Sequence, residues 1–117
     1  MPKSLSNVQR TLRYLEQQGY LTGIVERFNR YAGKYGIRQD LFGIFDLISI
    51  MPSAICGVQV CGGSDFKKHD EKILESEIAP EWLKAGGIIM LIGWRKTKLC
   101  RGSKAMRWNP RIKEYVL

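Results

Sequence analysis

The stretch LFGIFDLISIMPSAICGVQVCGG, residues 41–63, decides the fold that the sequence predicts. Two apolar runs flank the sequence MPS at residues 51–53, and proline and serine are frequent in turns. Nearly continuous apolar runs are typical of strands that are buried on both faces of a sheet. We therefore predict two strands, over residues 41–51 and 54–61, that pair antiparallel across this turn.

The rest of the chain predicts helices and further strands around this pair. Ser4 or Ser6 can cap a first helix, which Gly19 would end in the left-handed conformation. The other predicted elements, in order, are a strand over 20–28, a helix over about 65–76, a short helical turn from 79, a buried strand over 88–94 and two short strands over 104–108 and 111–116. The expected fold is α/β, with a mixed central sheet in the order αβββαβ and a basic C-terminal hairpin.

Length and composition predict one domain over residues 1–117. The chain has no apolar run of the roughly 20 residues that cross a bilayer, and it begins MPKS without the apolar segment of a signal peptide. We therefore expect a cytoplasmic protein without a membrane partner. Its three cysteines, Cys56, Cys61 and Cys100, are expected to be reduced thiols, and a zinc site that joins them to His69 is the alternative.

The positive charge is concentrated toward the C-terminus. The net charge of +8 divides into +4 over residues 1–40, −3 over 41–93 and +7 over 94–117. Clustered positive charge attracts polyanions, and Trp94, Trp108 and Tyr115 lie among these charges. This pattern favours nucleic acid as the partner. The predicted phosphate contacts are Arg38, Arg95, Lys96, Lys98, Arg101, Lys104, Arg107 and Arg111.

Two polar residues interrupt the apolar runs of the predicted strand pair. Asp46 lies in the first run and Gln59 in the second, at similar distances from the turn. A buried carboxylate is costly unless it is paired, hydrogen-bonded or bound to metal. One interpretation of Asp46 is therefore a carboxylate that caps a neighbouring backbone group. The other is a ligand that holds a divalent cation together with Gln59, because Mg²⁺ prefers oxygen ligands.

Asp46 in an apolar strand, a short turn, and the sequence QVC at residues 59–61 in the next strand resemble the motif of the PD-(D/E)xK nuclease superfamily. The similarity is to its Holliday-junction-resolvase-like and VRR-NUC-like small members, often found in phages. It covers about residues 5–95 and implies a restriction-endonuclease-like core. It also implies that Asp46 binds Mg²⁺ or Mn²⁺, that Gln59 replaces the second acid and that Cys61 replaces the catalytic lysine.

Residues elsewhere in the chain could complete such a site. Lys67 or Lys68, at the start of the second helix, could supply the missing positive charge, or could simply face solvent. Asp40 and Glu26 could add carboxylates, or could form surface ion pairs with Arg38 and Arg27. Glu16 on the first helix corresponds poorly to the glutamate that the superfamily often places there.

Three functions are compatible with this sequence. The first is a metal-dependent DNA endonuclease, or a protein derived from one, encoded by a phage and working in the host cytoplasm. The second is a non-catalytic nucleic-acid-binding module on the same fold, because Gln59 and Cys61 depart from the motif. The third is a phage adaptor that binds another protein. A homodimer is also compatible, since the apolar residues 88–92 suit a core or an interface.

Overall fold

The computed structural model describes residues 5–102 and 104–117, so the candidate cap Ser4 and Ser103, which the sequence predicts to be in a turn over residues 101–103, lie outside the described part. Among the described residues, no helix combines the length and the apolar character that a bilayer crossing requires. The elements, in chain order, are α1 (Asn7–Gln17), β1 (Leu21–Ile24), β2 (Arg27–Asn29), β3 (Ile37–Gln39), β4 (Leu47–Met51), β5 (Ala54–Gly62), a 3-10 turn (Gly63–Asp65), α2 (Phe66–Glu75), α3 (Ile78–Lys84), β6 (Ile88–Lys98) and β7 (Met106–Tyr115).

The protein is an α/β fold with a mixed five-stranded sheet. The strand order is β1-β4-β5-β6-β7, and β2 and β3 form a separate two-stranded hairpin. Strands β5 and β6 are parallel and are joined through α2 and α3, whereas the other neighbours in the sheet are antiparallel. A parallel pair requires a crossover of this kind, because a short turn cannot return the chain to the same end of the sheet.

The two faces of the sheet are covered by different helices. Alternate residues of a strand point to opposite faces, so β5 contributes Val58 to one face and Cys61 to the other. The Val58 face packs against Leu15 of α1, and the Cys61 face packs against Phe66 of α2 and Trp82 of α3. The Trp94 indole N–H donates a hydrogen bond of 2.8 Å to the Thr11 hydroxyl, which joins β6 to α1.

The first helix and the central hairpin are confirmed. The Ser6 hydroxyl accepts a hydrogen bond from the Gln9 backbone N–H, and Gly19 has φ +88°. Strands β4 and β5 pair antiparallel with Met51 opposite Ala54, as the turn at residues 51–53 predicts. These local features need no long-range information, because capping residues and turn residues act within a few positions of themselves.

Two strand predictions near the site are wrong in their extent. The predicted strand over 20–28 is two strands, β1 and β2, which belong to different sheets. The predicted strand over 41–51 begins only at Leu47, and Asp46 therefore precedes the strand instead of lying inside it. Phe42 and Gly43 have φ values of 57° and 76° and form a tight turn, whose residues Ile44 and Phe45 are buried. Because these two residues of the turn are buried, they are apolar, and the resulting sequence pattern resembles that of a buried strand.

The C-terminal segment forms β-structure, as predicted, but the number of its strands and their pairing differ from the prediction. Instead of two short strands that pair with each other, residues 106–115 form one strand, β7, which pairs with β6 along its length. Pro110 is accommodated inside this strand because β7 is at the edge of the sheet, where a missing N–H costs little. The apolar residues 88–92 lie in β6, where they contribute to both cores.

Strands β6 and β7 extend beyond the rest of the sheet. The β5 partner of β6 ends at Gly62, opposite Trp94, whereas the pairing with β7 continues to Lys98. We call residues 95–109 the basic ribbon, because this segment contains six Lys/Arg and no Asp/Glu. Its positive residues are Arg95, Lys96, Lys98, Arg101, Lys104 and Arg107.

Candidate metal centre

Backbone hydrogen bonds bring three acidic residues to one end of the β4–β5 pair. The Asp46 backbone N–H donates to the Val58 carbonyl, at 2.8 Å, which extends the hairpin by one residue. The Asp46 carbonyl accepts from the Val25 and Glu26 backbone N–H groups, at 2.9 and 3.2 Å. These two bonds place Glu26 beside Asp46, although the residues are far apart in sequence.

Asp40 reaches the same place through the tight turn at residues 41–45. Leu41 and Phe45 form an antiparallel bridge, and the Gly43 N–H donates to the Asp40 carbonyl at 3.0 Å. The chain therefore folds back and brings Asp40 close to Asp46. Asp40 is predicted from the sequence as a residue that could add a carboxylate to the site. The residues are together, but a turn rather than a strand brings them together.

The carboxylates of Glu26, Asp40 and Asp46 form one cluster, which we call the acidic cluster. One oxygen from each lies within 4.8 Å of the others, a spacing that could hold a metal ion. Asp46 is buried, and the side chains of Glu26 and Asp40 are each 17% exposed. Carboxylate oxygens are the ligands that Mg²⁺ and Mn²⁺ prefer. The acidic cluster is therefore a candidate cation site that opens to solvent on one side.

Asp46 is held by donors on β5 and carries a strongly raised pKa. Its Oδ2 accepts hydrogen bonds from the Val60 backbone N–H, at 2.8 Å, and from the Gln59 side-chain amide, at 2.7 Å. Burial and the neighbouring Asp40 carboxyl raise the pKa of Asp46 to about 8, against the lowering effect of the Val60 N–H. One carboxylate oxygen of Asp46 thus caps a neighbouring backbone N–H, as the capping interpretation predicts. This interpretation does not account for the acids that surround the residue.

Gln59 links the acidic cluster to a lysine on α2. While its amide nitrogen donates to Asp46, its Oε1 accepts from Lys72 Nζ at 3.4 Å. Lys72 Nζ also lies 3.4 Å from Asp40 Oδ2. Gln59 is buried between the two groups, on the face of the sheet that α2 covers. The glutamine therefore connects a carboxylate to an ammonium group and contributes a carbonyl oxygen beside the cluster.

Lys72 is the functional candidate that the sequence prediction missed. Gln59 lies three residues before the end of β5, which is about 10 Å along the strand. Helix α2 runs back along the sheet at about 1.5 Å per residue, so its chain returns to the level of Gln59 roughly six residues after Phe66. Lys67 and Lys68 lie in the first turn of α2, nearer the level of the end of β5 than that of Gln59. The prediction of Lys67 as the catalytic lysine is therefore not supported by its position.

A cleft beside the acidic cluster could receive a large ligand. Its volume is about 900 Å³, and its lining includes Asp40, Lys72, Arg27 and Arg38. Arg38 Nη1 lies 3.9 Å from Glu26 Oε1, so one predicted phosphate contact is at the cluster itself. Positive side chains at the rim of a negative cluster suit an anionic ligand that is bound together with a cation.

The remaining predicted phosphate contacts are in two other places. Arg111 lies within the sheet, with its guanidinium 4.0 Å from the centre of the Phe66 ring. The others all belong to the basic ribbon and are exposed. The ribbon's Trp108 carries Arg10 over its ring at 3.8 Å. The predicted nucleic-acid-binding residues thus lie in three places: Arg38 beside the acidic cluster, Arg111 in β7, and the other six on the basic ribbon.

Three other sequence interpretations are resolved by position. Cys61 is buried against Phe66, and burial raises the pKa of its thiol to about 11, so it replaces a lysine only as a packing residue. The zinc alternative is wrong: Cys56 and Cys61 point to opposite faces of β5, and Cys100 is exposed on the basic ribbon. Glu16 lies on α1, across the sheet from the acidic cluster.

The raised pKa of Asp46 makes the stability of the metal-free protein depend on pH. The Asp46 carboxyl has a pKa near 3.8 in the unfolded protein and about 8 in the folded protein. Its contribution to the stability of the folded state is complete below pH 3.8 and is lost as the pH rises through 8. In EDTA, we expect the free energy of unfolding of the wild type to fall between about pH 5 and pH 9. This fall should exceed the change in Asp46→Asn over the same range by more than about 1 kcal/mol. Asparagine can accept the same two hydrogen bonds without a charge.

Urea unfolding of both proteins across this pH range measures the difference. Comparing the two proteins at each pH cancels the titration of other groups. A constant difference between wild type and Asp46→Asn would show that Asp46 does not titrate with a raised pKa.

Comparison of this chain with protein-family models, with curated proteins and with solved structures finds no match.

Proposed function

We propose that this protein is a metal-dependent nuclease that cleaves phosphodiester bonds in DNA. One observation carries the proposal: three carboxylates within 4.8 Å of one another lie beside a lysine whose Nζ is 3.4 Å from both Asp40 and Gln59. Metal-dependent phosphodiester cleavage uses oxygen ligands that hold a hard cation and a nearby positive side chain that does not bind the cation but can contact the phosphate.

Each residue of the site has a separate role in this proposal. Glu26, Asp40 and Asp46 would hold Mg²⁺ or Mn²⁺, with the Gln59 carbonyl oxygen as a neighbouring polar group. The bound ion would supply an activated water and would stabilise negative charge on the phosphate. Lys72 would contact the phosphate oxygens and stabilise the charge that develops on them. Arg38 would position the strand at the rim of the cleft.

The arrangement of the elements supports the nuclease resemblance. The elements α1, β1, β4, β5, α2 and β6 follow the predicted order αβββαβ once the β2–β3 hairpin and the short helix α3 are set aside as additions to it. Gln59 lies on β5, and Asp46 directly precedes β4, the antiparallel partner of β5, so the two side chains meet across the pair. On this basis we propose a restriction-endonuclease-like core in which Lys72, from a helix, replaces the strand lysine whose position Cys61 occupies.

The direct test is cleavage of linear and branched DNA by the full chain. We expect cleavage with Mg²⁺ or Mn²⁺ and none with EDTA, since the acidic cluster needs the cation. Absence of cleavage with both metals on every substrate would overturn the nuclease activity.

A non-catalytic nucleic-acid-binding module is the second candidate function. The observation that favours it is Gln59, an amide where the resemblance expects an acid, together with the exposed positive side chains of the basic ribbon. DNA binding that persists in EDTA and weakens steeply with salt, without cleavage, would select this function. A protein that binds no nucleic acid at low salt would instead fit a phage adaptor.

The cellular setting and the oligomeric state are proposals of the same kind. The three cysteines are free thiols, which suits the reducing cytoplasm of a host cell. That the protein forms a homodimer is a prediction, and sedimentation would test it by measuring the mass of the particle in solution.

A further inference from the structure

The hairpin of residues 27–39, which comprises β2, β3 and the turn between them, has an unusual composition. Its sequence, RFNRYAGKYGIRQ, contains four Lys/Arg, three aromatic residues and no Asp/Glu. The positive residues are Arg27, Arg30, Lys34 and Arg38, and the aromatic residues are Phe28, Tyr31 and Tyr35. Of these residues, only Arg38 is among the predicted phosphate contacts, so the proposed nuclease function leaves most of this segment unexplained.

The aromatic rings of the hairpin do not pack into either core. Tyr31 is 88% exposed, Tyr35 is 83% exposed and Phe28 is 60% exposed. Most large aromatic side chains bury their rings, and a group of exposed rings on one segment marks an interaction surface. Their exposure contrasts with that of Trp108 on the basic ribbon, which is 39% exposed and carries Arg10 over its ring.

The hairpin has a defined conformation that presents these rings. A Cβ at Gly36 would lie 2.3 Å from the Phe28 ring, so the ring packs directly on the glycine backbone, and Gly36 has φ +86°. The Asn29 side chain accepts a hydrogen bond from the Tyr31 backbone N–H at 3.1 Å, which shapes the turn. A preorganised hairpin loses less entropy when it binds a ligand than a disordered loop does.

The hairpin begins and ends at the acidic cluster. Glu26 immediately precedes β2 and Asp40 immediately follows β3, and both carboxylates belong to the cluster. Arg27 and Arg38, at the base of the hairpin, line the cleft beside these acids. A polyanion that lies along the hairpin is therefore led to the cluster.

We propose that this hairpin binds a single-stranded segment of nucleic acid, with its bases stacked on Tyr31 and Tyr35 and its phosphates on the hairpin's Lys/Arg. Stacking requires bases whose faces are free, and in a duplex those faces are covered by the neighbouring base pairs. The absence of acidic residues from this segment favours a polyanion over a protein. As a statement about substrate, the inference rests on the proposed nuclease function and restricts it to DNA with unpaired bases near the cleaved bond.

The test compares single-stranded and duplex DNA binding by the full chain in EDTA, where no cleavage is required. Fluorescence anisotropy would follow a labelled oligothymidylate of about 20 nucleotides and a duplex of the same length at low salt. For Tyr31→Ala/Tyr35→Ala, we expect the affinity for the single strand to fall by at least about 10-fold, because each base–ring stack contributes roughly 1–3 kcal/mol. The duplex affinity should change by less than about 2-fold, since phosphate contacts dominate there.

The matched control is Tyr31→Phe/Tyr35→Phe, which keeps both rings and should keep single-strand affinity. Both tyrosines are exposed, so thermal unfolding should show the same stability for all three proteins. Equal losses for single strand and duplex, an unchanged single-strand affinity, or no binding of the single strand at low salt would each overturn the inference. A protein that binds the single strand through the tyrosines but cleaves nothing with Mg²⁺ or Mn²⁺ would overturn the nuclease proposal and leave this inference standing.

Discussion

Lys72→Met is expected to lower the rate of metal-dependent DNA cleavage by about 10²–10³-fold, the usual cost of removing one group that stabilises transition-state charge. Lys72 Nζ is 3.4 Å from Asp40 Oδ2 and from Gln59 Oε1, so the ammonium group lies next to the atoms that would surround the cation. Methionine keeps much of the length of the side chain and removes the charge. The measurement is single-turnover cleavage, which separates chemistry from binding.

Lys67→Met is the matched control for this prediction. It removes the same charge from the same helix, but Lys67 is exposed at the start of α2, away from the level of Gln59. We expect the cleavage rate of Lys67→Met to stay within about 3-fold of wild type, as is usual for exposed positions outside a site. Equal loss in both variants would mean that Lys72 acts only through the overall charge of the protein. Loss of cleavage in Lys67→Met alone would instead identify Lys67, the lysine that the sequence predicted, as the catalytic lysine.

Asp46→Asn is expected to lower cleavage by more than about 10³-fold while making the metal-free protein more stable at alkaline pH. In the proposed site the carboxylate would contribute a metal ligand that the amide would not replace, because the Asn oxygen is neutral and a weaker ligand for a hard cation. The same carboxylate is costly to ionise in its buried position, where its pKa is about 8. Higher stability with lost activity excludes misfolding as the cause of the loss.

Asp65→Asn serves as the control for the Asp46 variant. Asp65 is an exposed carboxylate at the start of α2, outside the acidic cluster, so its replacement should leave cleavage unchanged. Asp46→Asn with cleavage close to that of wild type would contradict the role of Asp46 as a ligand. Asp46→Asn that is less stable than wild type above pH 8 would contradict the account of its burial.

The β4–β5 hairpin and the nearness of Asp46 to Gln59 could be predicted from the sequence because both follow from one local turn. The turn at residues 51–53 fixes the register, and the register places position 46 opposite position 59. The extent of the strand before Asp46 could not be predicted in the same way. Apolar residues such as Ile44 and Phe45 give the same pattern whether they are buried in a strand or beneath a tight turn.

The other members of the site depend on contacts between segments that are distant in the chain. Glu26 is placed by two backbone hydrogen bonds to the Asp46 carbonyl, which no side-chain pattern encodes. Lys72 is one of several lysines on α2, and only the direction in which the helix runs over the sheet selects it. The rise per residue of strand and helix could have found Lys72, because equal distances along β5 and α2 bring it level with Gln59.

Anomalous diffraction from crystals soaked in Mn²⁺ shows whether Glu26, Asp40 and Asp46 hold a divalent cation, as we propose. We expect an anomalous peak at about 2.0–2.6 Å from a carboxylate oxygen of Asp46, with a carboxylate oxygen of Glu26 or Asp40 also within that distance of the peak. A well-ordered acidic cluster with no peak at saturating Mn²⁺, or a peak only at other carboxylates, would contradict it.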